Sequence, residues 1–278
     1  LMNTDTTTSA SPWWEASRTP GLAAFGAPVK FTIDGNPATA PAGASLLNAM
    51  IANGVYVPHL CTHPELPPAC RRNEGGGCNL CAVETSERPN KVSHACKLEV
   101  KEGLAVRTTL PLIRIARQSA LAKILGNFPP EARGGAQYEA SEMRRVADFV
   151  GIRANIPAYE ALGLPVVKDE PLFDRDYNLC IDCRRCLIAC NDVRGVGCLE
   201  IKSVETAQGP RTYVATIAPT LVESGCKFCM ACVVVCPSGA LAEREPEPAK
   251  RADASVPCHS ACPAGIDVAR YVQLAAEG

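Results

Sequence analysis

Two short cysteine runs constrain this chain more than anything else in it. The first reads Cys180-x2-Cys183-x2-Cys186-x3-Cys190, the second Cys226-x2-Cys229-x2-Cys232-x3-Cys236-Pro237. Three thiolates spaced two residues apart can wrap one face of a small inorganic cage within a single tight loop. A fourth thiol, three residues on, is carried away along the next helical turn toward a neighbouring cage. That is the spacing of 4Fe–4S ligands. Structural zinc is the competing reading, but zinc sites use paired Cys-x2-Cys hooks with four ligands to one ion. A triple hook with a fourth thiol, occurring twice, matches that poorly.

The runs resemble those of bacterial two-cluster ferredoxins, and the resemblance implies crosswise sharing. Cys180, Cys183, Cys186 and Cys236 would hold one cubane. Cys226, Cys229, Cys232 and Cys190 would hold the other. Pro237 fixes the backbone where the second loop leaves its site, whereas Asn191 stands at the matching place of the first.

Sixteen cysteines in 278 residues is heavy usage. They cluster at ligand spacings and are not scattered like a disulfide framework, so a reducing compartment is expected. Met2 to Ser11 is rich in Thr and Ser and has no apolar run of the signal-peptide kind. No stretch has the length needed to cross a bilayer, and a cytoplasmic location is the expectation. The formal charge is −1 and aromatics are 5%, which argues against a nucleic-acid footprint or a base-stacking platform.

The expected class is α+β, with several small parts. Residues 1–27 read as a flexible lead-in carrying Trp13 and Trp14. Residues 28–108 read as a β-grasp 2Fe–2S ferredoxin-like domain. Val29 to Asp34 alternates as a half-buried strand, Asp34-Gly35 signals a hairpin turn, and a second strand runs to about Ala40. Ser45 is a suitable N-cap for a helix carrying Leu46, Leu47, Met50 and Ile51, ended by Asn53-Gly54. A cysteine loop follows, Cys61-x16-Cys78-x2-Cys81-x14-Cys96. The order Cys…Cys-x2-Cys…Cys is the plant-type 2Fe–2S arrangement, with a longer first gap. Cys70 lies in that gap and fits no hook; it reads as a spare thiol, with ligand exchange for Cys61 or Cys78 as the other reading. His59 and His63 flank Cys61 and suit positions around the site better than ligation.

Residues 109–175 read as a helical connector. Pro111 to Leu125 places Leu112, Ile113, Ala116, Ala120, Leu121, Ile124 and Leu125 opposite Arg114, Arg117 and Lys123, and Gly126 closes the helix. Tyr138 to Val150 reads as a second helix, with Met143, Val146, Ala147 and Val150 on one face. Residues 176–242 read as the two-cluster ferredoxin-like domain, with a hairpin (Leu199 to Thr206, Arg211 to Ile217) inserted between its cysteine runs. Cys198, without a partner at ligand spacing, reads as a core thiol. Lys227, Arg184 and Arg185 fall inside the loops, where their charge can raise potentials, draw an acidic partner or simply be solvated.

A wider resemblance now becomes specific. VYVPHLCTHPELPP…CNLCAVE (Val55 to Glu84), SHACKLEVKEGLAVRT (Ser93 to Thr108) and YNLCIDCRRCLIACNDVRG (Tyr177 to Gly195) resemble segments of the large iron–sulfur subunit of complex I. Iron-only hydrogenases and NAD-linked formate dehydrogenases share them. The resemblance covers about residues 28–242 and implies Cys61, Cys78, Cys81 and Cys96 as the 2Fe–2S ligands. A His/Cys3 cluster usually lies between the two modules in that family. Leu98 to Leu179 contains neither Cys nor His, so that cluster cannot form here.

Residues 243–257 are charged and rich in Pro and Ala, as in a linker. Cys258-x3-Cys262-Pro263 with Gly265-Ile266-Asp267 then resembles the start of the iron–sulfur domain of the glutamate synthase small subunit, over residues 258–278. Two cysteines cannot enclose a cubane, so Cys258 and Cys262 are candidate ligands of an incomplete third 4Fe–4S site. A fortuitous cysteine pair is the plainer alternative. That family implies FAD and NAD(P)H on downstream domains or on a partner subunit; no Gly-x-Gly-x-x-Gly fingerprint occurs in this chain.

No residue set resembles a substrate-converting site, and no catalytic residue is expected. The chain reads as an electron-relay part of an NAD(P)H-linked oxidoreductase complex, with other redox subunits, a ferredoxin or a flavoprotein as partners. An iron–sulfur subunit of a hydrogenase or formate dehydrogenase is one alternative, and a zinc-binding scaffold the other.

Overall fold

The structure is a computed structural model, and it describes residues 26–63, 66, 77–151, 156–168, 172–207 and 209–243. Trp13, Trp14, Cys70, Cys258 and Cys262 lie outside the described residues. The chain divides into two compact units, Leu1–Val57 with Cys81–Ile113 and Pro58–Leu80 with Arg114–Gly278.

The first unit is built on a five-stranded mixed sheet. Strands β1 (Pro28–Ile33) and β2 (Asn36–Pro41) form the expected hairpin, in which Asp34 (φ 50°) and Gly35 (φ 85°) both take the left-handed conformation of the turn. Helix α1 is Leu46–Ala52; β3 is Ala82–Thr85, β4 Arg88–His94 and β5 Ala105–Arg107. The order is β2-β1-β5-β3-β4, with β1 and β5 parallel and the other neighbours antiparallel. Phe31, Ile33, Leu46, Leu47, Met50, Val83 and Val106 are buried. Each such side chain contributes roughly 1.5–3 kcal/mol by leaving water. Ser45 precedes α1 as expected, but its side chain makes no capping hydrogen bond.

Besides Pro58–Leu80, the second unit takes in α2 (Pro111–Gly126) from Arg114 onward, then α3 (Ala136–Glu139) and α4 (Glu142–Val150). The periodicity of residues 138–150 suggested one helix. The chain breaks it, because the Ser141 hydroxyl accepts a hydrogen bond from the Arg144 amide at 3.1 Å and so starts a new helix. Gly151, at φ 67°, ends it. On α2 two sequence assignments are corrected. Leu112 is 40% exposed, and Arg117, expected on the solvent side, is buried.

Leu121 and Leu125 join Phe128, Tyr138, Met143, Val146, Val150, Leu60, Leu80 and Leu179 in one core cluster. The stretch expected as a helical connector also contains strands, β6 (Val166–Val167) and β7 (Phe173–Asp176), which pair with β10 (Leu241–Glu243) in the order β10-β7-β6. Strands β8 (Leu199–Val204) and β9 (Arg211–Thr216) form the inserted hairpin. Among the described residues no helix is long and apolar enough to cross a membrane.

Candidate iron–sulfur sites

The two cysteine runs of the second unit have the same backbone. The residue two after the first cysteine is left-handed in each, Asp182 (φ 51°) and Phe228 (φ 52°). So is the residue after the second cysteine, Arg184 (φ 61°) and Met230 (φ 61°). Four non-glycine residues in that region carry a conformational cost of about 1–3 kcal/mol each, and such strain concentrates at functional sites. A short helix then follows in each, α5 (Arg185–Leu187) and α6 (Ala231–Val234). After α5 the chain widens into a π-helical turn, Ile188–Val193, which carries Cys190. The Cys78-x2-Cys81 hook repeats the pattern in part, with Asn79 at φ 53°.

Every described cysteine is a free thiol. In the first loop, burial pushes the Cys180 thiol up to about 11, and the charge of Cys236 adds to this. The Val214 amide donates to Cys180 Sγ at 3.5 Å. Desolvation likewise raises Cys183, reinforced by Cys236 and Cys180, and raises Cys186, reinforced by Cys183, Cys180 and Cys236. Cys232 of the second loop adds to the charge against Cys186 as well, so the two sets of sulfurs are close enough to influence each other. In the second loop desolvation raises Cys232, and Cys226, Cys229 and Cys190 are the leading charges against it. The Phe228 amide donates to Cys226 Sγ at 3.3 Å.

Cys198, which spacing alone left as a core thiol, sits 3.3 Å from Cys190, sulfur to sulfur. Its hydrogen bond to Cys190 is the largest influence on both groups. It lowers Cys190 to about 6 and raises Cys198, which Cys226 also raises. The two thiols share one hydrogen bond, in which either sulfur can be the donor. An apolar cavity lined by Cys186, Cys198, Cys226, Cys232, Phe173 and Leu221, among others, opens between these groups.

Of the candidate 2Fe–2S residues, Cys61 and Cys78 belong to the second unit, with their sulfurs 3.5 Å apart, and the Leu60 amide donates to Cys78 Sγ at 3.3 Å. Cys81 and Cys96 belong to the first unit and are buried, and the Ala95 amide donates to the Cys81 carbonyl at 2.9 Å.

The donor chemistry fits iron–sulfur cages. Thiols held above neutrality by desolvation gain from cationic iron what water no longer supplies, and amides already point at sulfur. A tetrahedral zinc would gather sulfurs to about 2.3 Å of one point.

Comparison with known proteins agrees. Residues 26–111 match the 2Fe-2S iron-sulfur cluster binding domain family and residues 179–240 the 4Fe-4S dicluster domain family. The NADP-reducing hydrogenase subunit HndD of Solidesulfovibrio fructosivorans is 30% identical over 220 residues. A subunit of the NADH-quinone oxidoreductase of Rhizobium meliloti is 31% identical over 216 residues. The chain is homologous to these iron–sulfur subunits. Each alignment covers 77% of this chain, but only 36% and 24% of the respective relative. The 78 kDa subunit of mitochondrial NADH-ubiquinone oxidoreductase from Neurospora crassa is 30% identical over 78% of the chain. The fold is also found in a crystal structure of an NAD+-reducing NiFe-hydrogenase in the H2-reduced state. That match has a TM-score of 0.64 and 24% identity, and covers 78% of this chain and 87% of that one.

Proposed function

We propose that this chain is the electron-relay portion of an NAD(P)H-linked oxidoreductase complex. The observation that carries the reading is the duplicated loop, in which the same two positions of each cysteine run are left-handed. When bound, iron–sulfur clusters supply one-electron oxidation and reduction. The chain's own residues hold them, shield them from water and set the charge around them. We assign Cys180, Cys183, Cys186 and Cys236 to the first cubane and Cys226, Cys229, Cys232 and Cys190 to the second. Cys61, Cys78, Cys81 and Cys96 go to a 2Fe–2S cluster.

Functionally, the chain divides into a 2Fe–2S part (28–108), a connector (109–175) and a dicluster part (176–242), with Cys258 and Cys262 as candidate ligands of an incomplete further site. FAD and NAD(P)H belong to other domains or subunits, and a soluble redox protein or a companion subunit is the partner, in the cytoplasm. A hydrogenase assembly is the second reading, favoured by the printed name of the Solidesulfovibrio relative. The zinc scaffold finds no support in either domain match, since both are iron–sulfur families.

Iron analysis with low-temperature EPR of the reduced, anaerobically prepared protein tests the reading. About ten irons per chain are expected from two cubanes and one rhomb. Stoichiometric zinc in place of iron would overturn it.

A further inference from the structure

A buried ion pair stands beside the first cysteine loop, where ligand spacing does not require one. Arg185 lies between Cys183 and Cys186, and its side chain is 1% exposed. Its Nη1 donates to Glu142 Oε2 at 2.5 Å and its Nη2 to Glu142 Oε1 at 3.0 Å. Nη2 also donates to the carbonyl of Thr62, the residue after Cys61. The Nε–H donor is buried and has no hydrogen-bond partner among the described residues.

A purely structural clamp accounts for the two Nη groups but not for Nε–H. An unmet buried N–H is costly, and a buried ion pair is seldom worth more than a well-packed apolar pair. Glu142 is held ionised in spite of its burial, through the charge and hydrogen bonds of Arg185 with help from His59 and His63. A guanidinium stays protonated throughout the accessible pH range, and its paired bonds to Glu142 hold it in place. The Arg185 backbone amide itself bonds to the Cys183 sulfur. The guanidinium is therefore fixed, charged and next to candidate ligands of two different sites.

We infer that the Nε–H of Arg185 is completed by a sulfur of the first cubane. Arg185 is thereby a positioning residue that raises that cubane's reduction potential, while Glu142 anchors it and cancels part of its charge. This rests on the cubane assignment proposed above. Reduction adds negative charge to the cage, so a fixed cation with a hydrogen bond to sulfur favours the reduced state. The second loop provides an internal control, because the residue equivalent to Arg185 is Ala231.

The test is an EPR-monitored redox titration of the whole chain, with iron counted for every variant and the first-cubane signal identified as the one lost in Cys183→Ser. Arg185→Gln is expected to lower the ratio of reduced to oxidised first cubane about tenfold at the wild-type midpoint. That is about 59 mV for a one-electron couple. The second cubane should not move. Glu142→Gln, which keeps an acceptor and removes the negative charge, is expected to shift the first cubane the opposite way. Arg185→Lys keeps the charge but loses Nε–H and the planar fork, so a smaller negative shift is expected.

If Arg185→Gln fails to retain the cubane, Glu142→Gln and Arg185→Lys decide. An unmoved potential in either of them, or a shift of both in the same direction, overturns the inference while leaving the cubane assignment intact. Absence of cubane iron from the wild-type protein overturns the assignment itself.

Discussion

The two cysteine loops share a backbone and differ in their surroundings. The first is tied to α4 through Glu142 and holds a buried guanidinium; its Cys180 and Cys186 are buried, and desolvation raises Cys180, Cys183 and Cys186. The second has Met230 and Ala231 where the first has Arg184 and Arg185, and all four of its own cysteines are half-buried. Its special neighbour is a second cysteine, Cys198, whose sulfur lies 3.3 Å from that of Cys190. The ligand geometry is thus duplicated and the electrostatics are not. Two like cages in such settings differ in potential, because burial, nearby charge and hydrogen bonds to sulfur set it. The order of potentials along a relay can then be written by residues that never touch iron.

The largest effects break the comparison outright. Crosswise sharing predicts that Cys190→Ser, though in the first run, removes the second cubane, and that Cys236→Ser, though in the second, removes the first. Each should lose about four of about ten irons per chain and one of two distinguishable EPR signals. If Cys190→Ser instead removed the same signal as Cys183→Ser, each run would serve its own cage. Cys81→Ser should erase only the 2Fe–2S signal.

Stability separates the loops next. Glu142→Ala leaves Arg185 buried without its carboxylate, which typically costs about 3–5 kcal/mol. Lys227→Ala, on the exposed rim of the second loop, should change stability by no more than about 0.5 kcal/mol. Urea midpoints of the cluster-loaded protein, followed by circular dichroism, read both. The pair also gives a pH signature. The Glu142 carboxyl is held below its ordinary value in the folded protein. Its contribution is therefore complete above the ordinary carboxylate pKa of about 4.3 and fades as pH falls through the lower, folded value. Glu142→Gln should flatten the acid limb of the stability curve below about pH 4 and leave its neutral region parallel to wild type.

That the chain carries an iron–sulfur dicluster domain was legible in the sequence because such a cage imposes its cysteine spacing locally. The Asp34-Gly35 hairpin was legible for the same reason, since a two-residue turn needs left-handed residues in order. Arg185 could be seen as a charge inside a loop but not as a buried one. Glu142 and Thr62 lie 43 and 123 residues away in the chain, and no local pattern couples them. Arg175 went unnoticed in a similar way. It is fully buried in β7, where Tyr177 and Thr216 accept its hydrogen bonds at 2.7 Å. By contrast, the break between α3 and α4 had a signal. Ser141 before Glu142 and an apolar stripe is a helix start, and the periodicity of residues 138–150 hid it.

The capping of α4 offers a milder test of the first loop. Ser141→Ala removes the bond to the Arg144 amide and should cost about 1 kcal/mol. Because Glu142 is the next residue, any redox change should be confined to the first cubane, and a shift in the second would mean the loops are not electrostatically separate.

The smallest expected effect concerns Cys198, and it sharpens the comparison from the other side. A thiol is a weak donor, so removing one hydrogen bond to Cys190 should lower the second cubane's potential by less than a tenfold change in ratio, under about 59 mV. Cys198→Ala should leave the first cubane alone and keep full iron. The alternative outcome is equally definite. Cys198 lies 3.3 Å from Cys190, close enough for the two thiols to exchange as ligand. If Cys198→Ala loses four irons while Cys190→Ser keeps them, Cys198 is the ligand and Cys190 the donor. The second cage would then take its fourth sulfur from the residue that opens the inserted hairpin, and not from the π-helical turn.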